Sequence, residues 1–251
     1  MNRNILGSLA IAFSMYSRIP MPQVEWTKER MKYALCFFPL IGAVIGGVVW
    51  ILALLAGKYE FYWFQKLVLI VVPLLMTGGI HMDGYLDVVD ARASHADRER
   101  KLEILKDPHT GAFAIIFCGD YLLVYAAACA ELNVEYVIVL GGIYVLTRAL
   151  SGLAVVTFPM AKNSGLAAAF SSQAQKKTVA VTMVIYILAA VGYLWFTGGI
   201  IISLACMGTA LLTYCYYYKM SKKEFGGITG DLAGYFLQIC ELVLVITLAL
   251  L

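Results

Sequence analysis

Seven stretches of about 20 mostly apolar residues run through this chain, and in lipid a segment of that kind is confined to a helix. Each helical residue advances about 1.5 Å across a hydrocarbon core of roughly 30 Å, and an open strand would leave backbone amides unpaired there. The stretches are 33–56, 62–80, 112–130, 136–159, 178–196, 199–218 and 232–251. Composition agrees: 61% of the 251 residues are hydrophobic, 14% are charged and the mean hydropathy is +0.80. An ordinary soluble domain carries about a quarter charged residues, so a soluble globule, a disordered chain and a disulfide scaffold are excluded. The six cysteines sit in apolar stretches without paired spacing and read as small buried hydrophobes. The predicted fold class is all-α: one polytopic integral membrane helical bundle over residues 1–251, with an amphipathic helix on its cytoplasmic surface.

The charges fix the orientation, because short cytoplasmic loops keep an excess of Lys and Arg. Five fall before the first span (Arg3, Arg18, Lys28, Arg30, Lys32) and five between the second and third (Arg92, Arg98, Arg100, Lys101, Lys106). Lys162, Lys176 and Lys177, then Lys219, Lys222 and Lys223, bring that side to sixteen of nineteen. The site-bearing loops are therefore expected in the cytoplasm and the protein in the cell membrane. A net charge of +3 is too small and scattered to argue for nucleic acid. The apolar run from Ile5 to Phe13, followed by Arg18, Pro20 and Pro22 without a small-x-small cleavage site, reads as an interfacial or re-entrant segment and not a signal peptide.

Chemistry must then come from the cytoplasmic loops and the few charges inside the spans. The longest polar loop, 81–111, begins with Asp83, Asp87 and Asp90. On a helix that spacing puts three carboxylates on one face, where they repel unless a cation sits between them. Hard oxygen ligands beside a membrane suit Mg²⁺ together with substrate phosphates; the bland reading is a solvated acidic helix end. His81 could orient a carboxylate or a ligand, whereas His95 and His109 read as ordinary loop residues. Residues 97–107 read as a short amphipathic helix capped by Ser94 or Asp97 and stopped by Pro108. Its Arg98, Arg100, Lys101 and Lys106 could hold phosphate oxygens and Asp107 could return a fourth carboxylate, or these charges merely keep the helix wet. The turn Gly226-Gly227-Ile228-Thr229-Gly230-Asp231 at the start of the last span is a plausible anion cradle, although such turns also serve packing.

Three ionisable residues lie within spans. Asp120, Arg148 and Glu241 sit roughly 12, 17 and 14 Å deep, counted from their cytoplasmic ends. Lone charges at that depth face the interior and pair, and an Asp120–Arg148 pair is expected.

These motifs together resemble the adenosylcobinamide-GDP ribazoletransferase (cobalamin synthase) family over essentially the whole chain. The likeness rests on Arg18-Ile19-Pro20-Met21-Pro22, on Gly78-Gly79-x-His81-x-Asp83-Gly84-x-x-Asp87-x-x-Asp90, and on Leu102 to Asp107 with Gly111. It is completed by Gly226 to Asp231 with Gly234 and Glu241. Departures are Ala91 and Pro108, where members often have glycine and serine, and Gln238, where an acidic residue is frequent. The resemblance implies a Mg²⁺-dependent phosphoryl transfer that joins adenosylcobinamide-GDP to α-ribazole or its 5′-phosphate and releases GMP. Asp83, Asp87 and Asp90 would hold the metal, and Asp107 would be a further ligand or the base that accepts the ribazole 5′-hydroxyl proton. Arg98, Arg100 and Lys106 would stabilise departing GMP, and Gly226, Gly227, Thr229 and Asp231 would hold the nucleotide or corrinoid tail. Besides its substrates the chain has the lipid bilayer as partner, and substrates this large leave room for a homo-oligomer. Two other classes compete. A CDP-alcohol phosphotransferase needs an Asp-Gly-x-x-Ala-Arg core that is missing here. A secondary transporter would use Asp120, Arg148 and Glu241 as an ion path.

Overall fold

The computed structural model describes residues 3–162 and 165–251, and most of them are helical. In chain order these are α1 (Arg3–Tyr16), α2 (Lys28–Met31), α3 (Phe38–Lys58), α4 (Tyr62–Thr77), α5 (Ile80–Ala93), α6 (Arg98–Ile104), α7 (Ala112–Glu131), α8 (Val139–Thr157), α9 (Leu166–Gln173), α10 (Lys176–Met220) and α11 (Gly230–Ala249). Short 3₁₀ turns lead into α3 and α8, and a π-turn, Ser221–Phe225, closes α10. Among the described residues, five helices are long and apolar enough to cross a membrane, and α4 with α5 form a pair bent by 92° that has the composition of a broken span or a re-entrant loop. Large apolar side chains left exposed on the outside, such as Trp63, Phe196 and Leu212, are what a lipid-facing surface requires.

Two predicted boundaries change. The expected turn at Thr197–Gly198 lies inside the single hydrogen-bonded run of α10. Gly199 breaks it with φ 83° and ψ 173°, and Ser203 Oγ donates to Val191 O at 2.9 Å. Twelve residues of straight helix would hold that pair about 18 Å apart, so α10 is a hairpin with two arms, as the two predicted spans require. The second span, predicted to reach residue 80, stops at Thr77. Gly78 and Gly79, both left-handed at φ 64° and 76°, turn the chain by 92° into α5. Two consecutive positive φ values are tolerated because glycine has no Cβ to clash.

The start of the loop predicted over 81–111 is therefore not solvated. It is helix α5, whose His81, Met82, Gly84, Tyr85, Val88 and Val89 are buried. A Cβ on Gly84 would lie 2.7 Å from Asp231 O, and one on Gly234 would lie 3.0 Å from His81 O, so α5 and α11 meet backbone to backbone. Small residues at a helix seam permit such approach inside a membrane. Helix α8 is buried almost all round, as expected of the element at the centre of a bundle. Helix α1 buries Ser8 and residues 10–13, so the N-terminal run packs into the bundle.

The expected Asp120–Arg148 pair does not form. Arg148 Nη1 instead meets Glu241 Oε1 at 2.7 Å, and Thr147 Oγ1 donates to the same oxygen at 3.2 Å. Asp120 is exposed, because α7 turns Ala114, Tyr121, Tyr125 and Ala128 inward. Equal depth brings charges to one level of the bundle, but rotation about the helix axis decides which of them meet.

Candidate functional site

A cavity of about 550 Å³ opens where the ends of α1, α8 and the α6 loop meet the starts of α3, α5 and α11. Its floor is apolar, with Tyr16, Leu35, Phe38 and Val155, and His81 stands among them. The Tyr16 and His81 rings stack at 6.3 Å between centroids, and Phe38 lies 5.8 Å from His81. His81 is 4% exposed, and its Nε2 has no hydrogen-bond partner among the described residues.

The rim is charged. Asp83 of α5, Asp231 of α11, Lys106 and Lys162 all line the cavity. Helix α5 carries the acids as its spacing predicts: Asp83 is exposed and Asp87 and Asp90 are half-buried. Asp87 lies within electrostatic reach of Asp83, Asp231 and Asp90, and no cation is among the charges acting on it. Asp90 carboxylate oxygens fill the space a Cβ on Gly111 would need, which explains a glycine there. Among the described residues, no three His, Cys, Asp or Glu side chains converge closely enough to hold a metal ion as they stand. What the fold assembles is a self-repelling row of oxygen donors.

The glycine turn is held by backbone pairing. Ile228 N donates to Pro159 O at 2.9 Å and Ala161 N donates to Ile228 O at 2.9 Å. A Cβ on Gly227 would sit 2.5 Å from Pro159 O, so only glycine fits beside this strap. Thr229 caps α11, its Oγ1 accepting from Leu232 N at 3.2 Å and donating to Asp231 Oδ2 at 3.3 Å. At Gly226, left-handed with φ 76°, the Cβ position is occupied by the guanidinium of Arg98, whose Cζ lies 1.8 Å from it. Arg98 and the turn, far apart in sequence, are thus in contact.

Helix α6 is shorter than predicted but capped as expected, Asp97 Oδ1 accepting from Arg100 N at 2.9 Å. Its basic residues divide. Lys101 holds Glu224 at 2.9 Å, and Arg92 of α5 holds the same carboxylate at 3.1 Å, which ties α5, α6 and the π-turn together. Arg100 pairs with Glu103 at 2.9 Å with both side chains 65% exposed, pointing away from the cavity. Asp107 is exposed and apart from the other acids; its Oδ1 accepts from His109 N at 3.0 Å and meets Nδ1 at 2.7 Å. These bonds hold the Asp107 carboxyl below the usual carboxylate range.

Comparison with known proteins bears on what this arrangement is for. The model of a family described as cobalamin-5-phosphate synthase matches residues 8–249. The chain belongs to that family. It is 48% identical over 245 residues to an adenosylcobinamide-GDP ribazoletransferase of Lachnoclostridium phytofermentans, covering 94% of this chain and 91% of that one. A protein of the same name from Clostridium perfringens strain 13 is 34% identical over 237 residues, 93% of this chain and 94% of the relative. One from Desulfitobacterium hafniense is 30% identical over 247 residues, 94% of each. No solved structure matches. Membership in this family leaves the CDP-alcohol phosphotransferase reading behind. The ion path a transporter would need is not assembled either, since Asp120 is exposed and Arg148 and Glu241 neutralise each other. Sequence reasoning counted Lys162 only for topology and passed over Tyr16; neither lies in a motif, and only the fold brings them to the cavity.

Proposed function

We propose that this protein joins adenosylcobinamide-GDP to α-ribazole or its 5′-phosphate, giving adenosylcobalamin or its 5′-phosphate and GMP. The observation that carries this reading is that Asp83, Lys106, Thr229 and Asp231, drawn from three separate motifs, line one cavity. In the transfer an acceptor ribose hydroxyl bonds to the phosphorus bearing the cobinamide, the P–O bond to GMP breaks, and the hydroxyl proton passes to a base. A family described by a 5-phosphate product favours a ribose hydroxyl other than the 5′ one, in place of the 5′-hydroxyl that the resemblance implies.

Phosphoryl transfer rests on positioning and on neutralising charge. The donor set fits Mg²⁺: Asp83, Asp87, Asp90 and Asp231 are hard oxygen ligands whose mutual repulsion a cation relieves. Bound there, the metal would supply neutralisation of the diphosphate. Asp107, outside that group and one residue after the cavity-lining Lys106, is the carboxylate that takes the hydroxyl proton. Arg98, resting on Gly226, meets the departing nucleotide. The concentration of sixteen Lys and Arg on this side of the bundle supports a site facing the cytoplasm. The test is GMP release by lipid-reconstituted protein supplied with adenosylcobinamide-GDP and α-ribazole, with and without Mg²⁺. Mg²⁺-dependent GMP with matching cobalamin is expected; no GMP from folded protein overturns the reading.

A further inference from the structure

Lys162 lies outside every motif above, yet the fold brings it to the cavity, within electrostatic reach of Asp231. The residues before it are zipped to the glycine turn through the Met160–Ile228 bridge, and its Nζ donates to Leu102 O at 2.7 Å. That bond ties it to α6, three residues before the α6 loop that carries Lys106. Lys106 lines the same cavity and neighbours Lys162, so two ammonium groups stand together at it. Burial and then the neighbouring Lys106 ammonium push the Lys162 amine below the ordinary lysine value, with Asp231 and Glu103 opposing. Like charges held together beside an open cavity are relieved by an anion.

Resting on the reading above, we propose that Lys162 and Lys106 clamp the 5′-phosphate of the acceptor, with its aromatic base on the floor formed by Tyr16, Phe38 and His81. The cavity's size favours the acceptor over the donor. At about 550 Å³ it lies within the usual range of roughly 300–1,000 Å³ for drug-sized ligands, enough for a nucleotide and far too small for a corrinoid carrying GDP. Its composition matches as well: an apolar aromatic floor takes a planar base, Tyr16 and Ser151 bring hydroxyls to the lining, and the two lysines take the phosphate. Arg98, which does not line the cavity, is left to the donor.

The experiment compares α-ribazole with α-ribazole 5′-phosphate as acceptors for wild type, Lys162→Ala and Lys162→Arg, reading KM and kcat separately. Wild type is expected to favour the phosphorylated acceptor in KM. Lys162→Ala is expected to collapse that preference at least tenfold with little effect on kcat, and Lys162→Arg to restore most of it. A parallel rise of both KM values, or an unchanged ratio, overturns the clamp. Thermal shifts of the same three proteins with each acceptor alone, which need no turnover, keep the clamp testable if no GMP forms. Stabilisation by the phosphorylated acceptor in wild type but not in Lys162→Ala supports it, and equal shifts overturn it. Absence of turnover by wild type counts against the proposed reaction instead.

Discussion

Arg148 Nη1 lies 2.7 Å from Glu241 Oε1, with the two side chains only 1% and 4% exposed. Removing one partner strands the other charge in a dry interior, which costs about 3–5 kcal/mol. Arg148→Ala and Glu241→Gln are therefore expected to lower folded yield and the unfolding temperature in detergent sharply. The double variant Arg148→Met with Glu241→Leu recovers much of the loss, since an apolar pair of similar volume needs no compensation. Asp120→Asn, outside this pair, should stay within about 0.5 kcal/mol of wild type. Equal damage from Asp120→Asn would restore the pairing expected from depth alone.

Asp83 is exposed on the cavity wall, so its loss costs the fold little. Asp83→Asn is expected to abolish GMP release while expression and unfolding temperature stay at wild-type values. Near-normal turnover in this variant removes the assignment of the α5 acids.

At Gly226 a Cβ would meet the Arg98 guanidinium and would also be strained at φ 76°. Gly226→Ala is expected to cost about 1–2 kcal/mol from the left-handed conformation and to raise KM for the corrinoid donor by displacing Arg98. Gly119→Ala, where nothing lies within 4 Å of the added carbon, should leave both quantities near wild type. Parallel stability and donor-titration measurements on the two variants make the check.

Glu224 binds Arg92 and Lys101 together, and its carboxylate is the joint between α5, α6 and the π-turn. Glu224→Ala should lower stability by about 0.5–1 kcal/mol, modest because the cluster is partly solvated, and should increase proteolysis within residues 94–111. Unchanged cleavage there would mean that α6 is held by its buried Leu102 and Leu105 and not by charge.

The spans were legible because lipid leaves long apolar runs no alternative to helix, and the three-acid face of α5 because its spacing is fixed by helical geometry. The adjacent glycines at 78–79 permit the 92° turn, but its size cannot be read from two glycines, and Arg18 N, donating to Met76 O at 2.7 Å, ties a distant segment to the bend. Asp120 and Arg148 do not pair because depth is linear in sequence while facing depends on how α7 rotates against its neighbours. Lys162 was invisible for a related reason: it belongs to no periodic pattern, and its place depends on a two-residue strap formed across almost seventy residues of chain.

The seam at Gly84 and Gly234 also sets how far apart the acids stand. The backbones of α5 and α11 touch there, and Tyr85 stacks on Tyr235 beside that point. A side chain at either glycine would force the two helices apart and carry Asp83 away from Asp231, so two residues with no side chain fix the spacing of the two carboxylates.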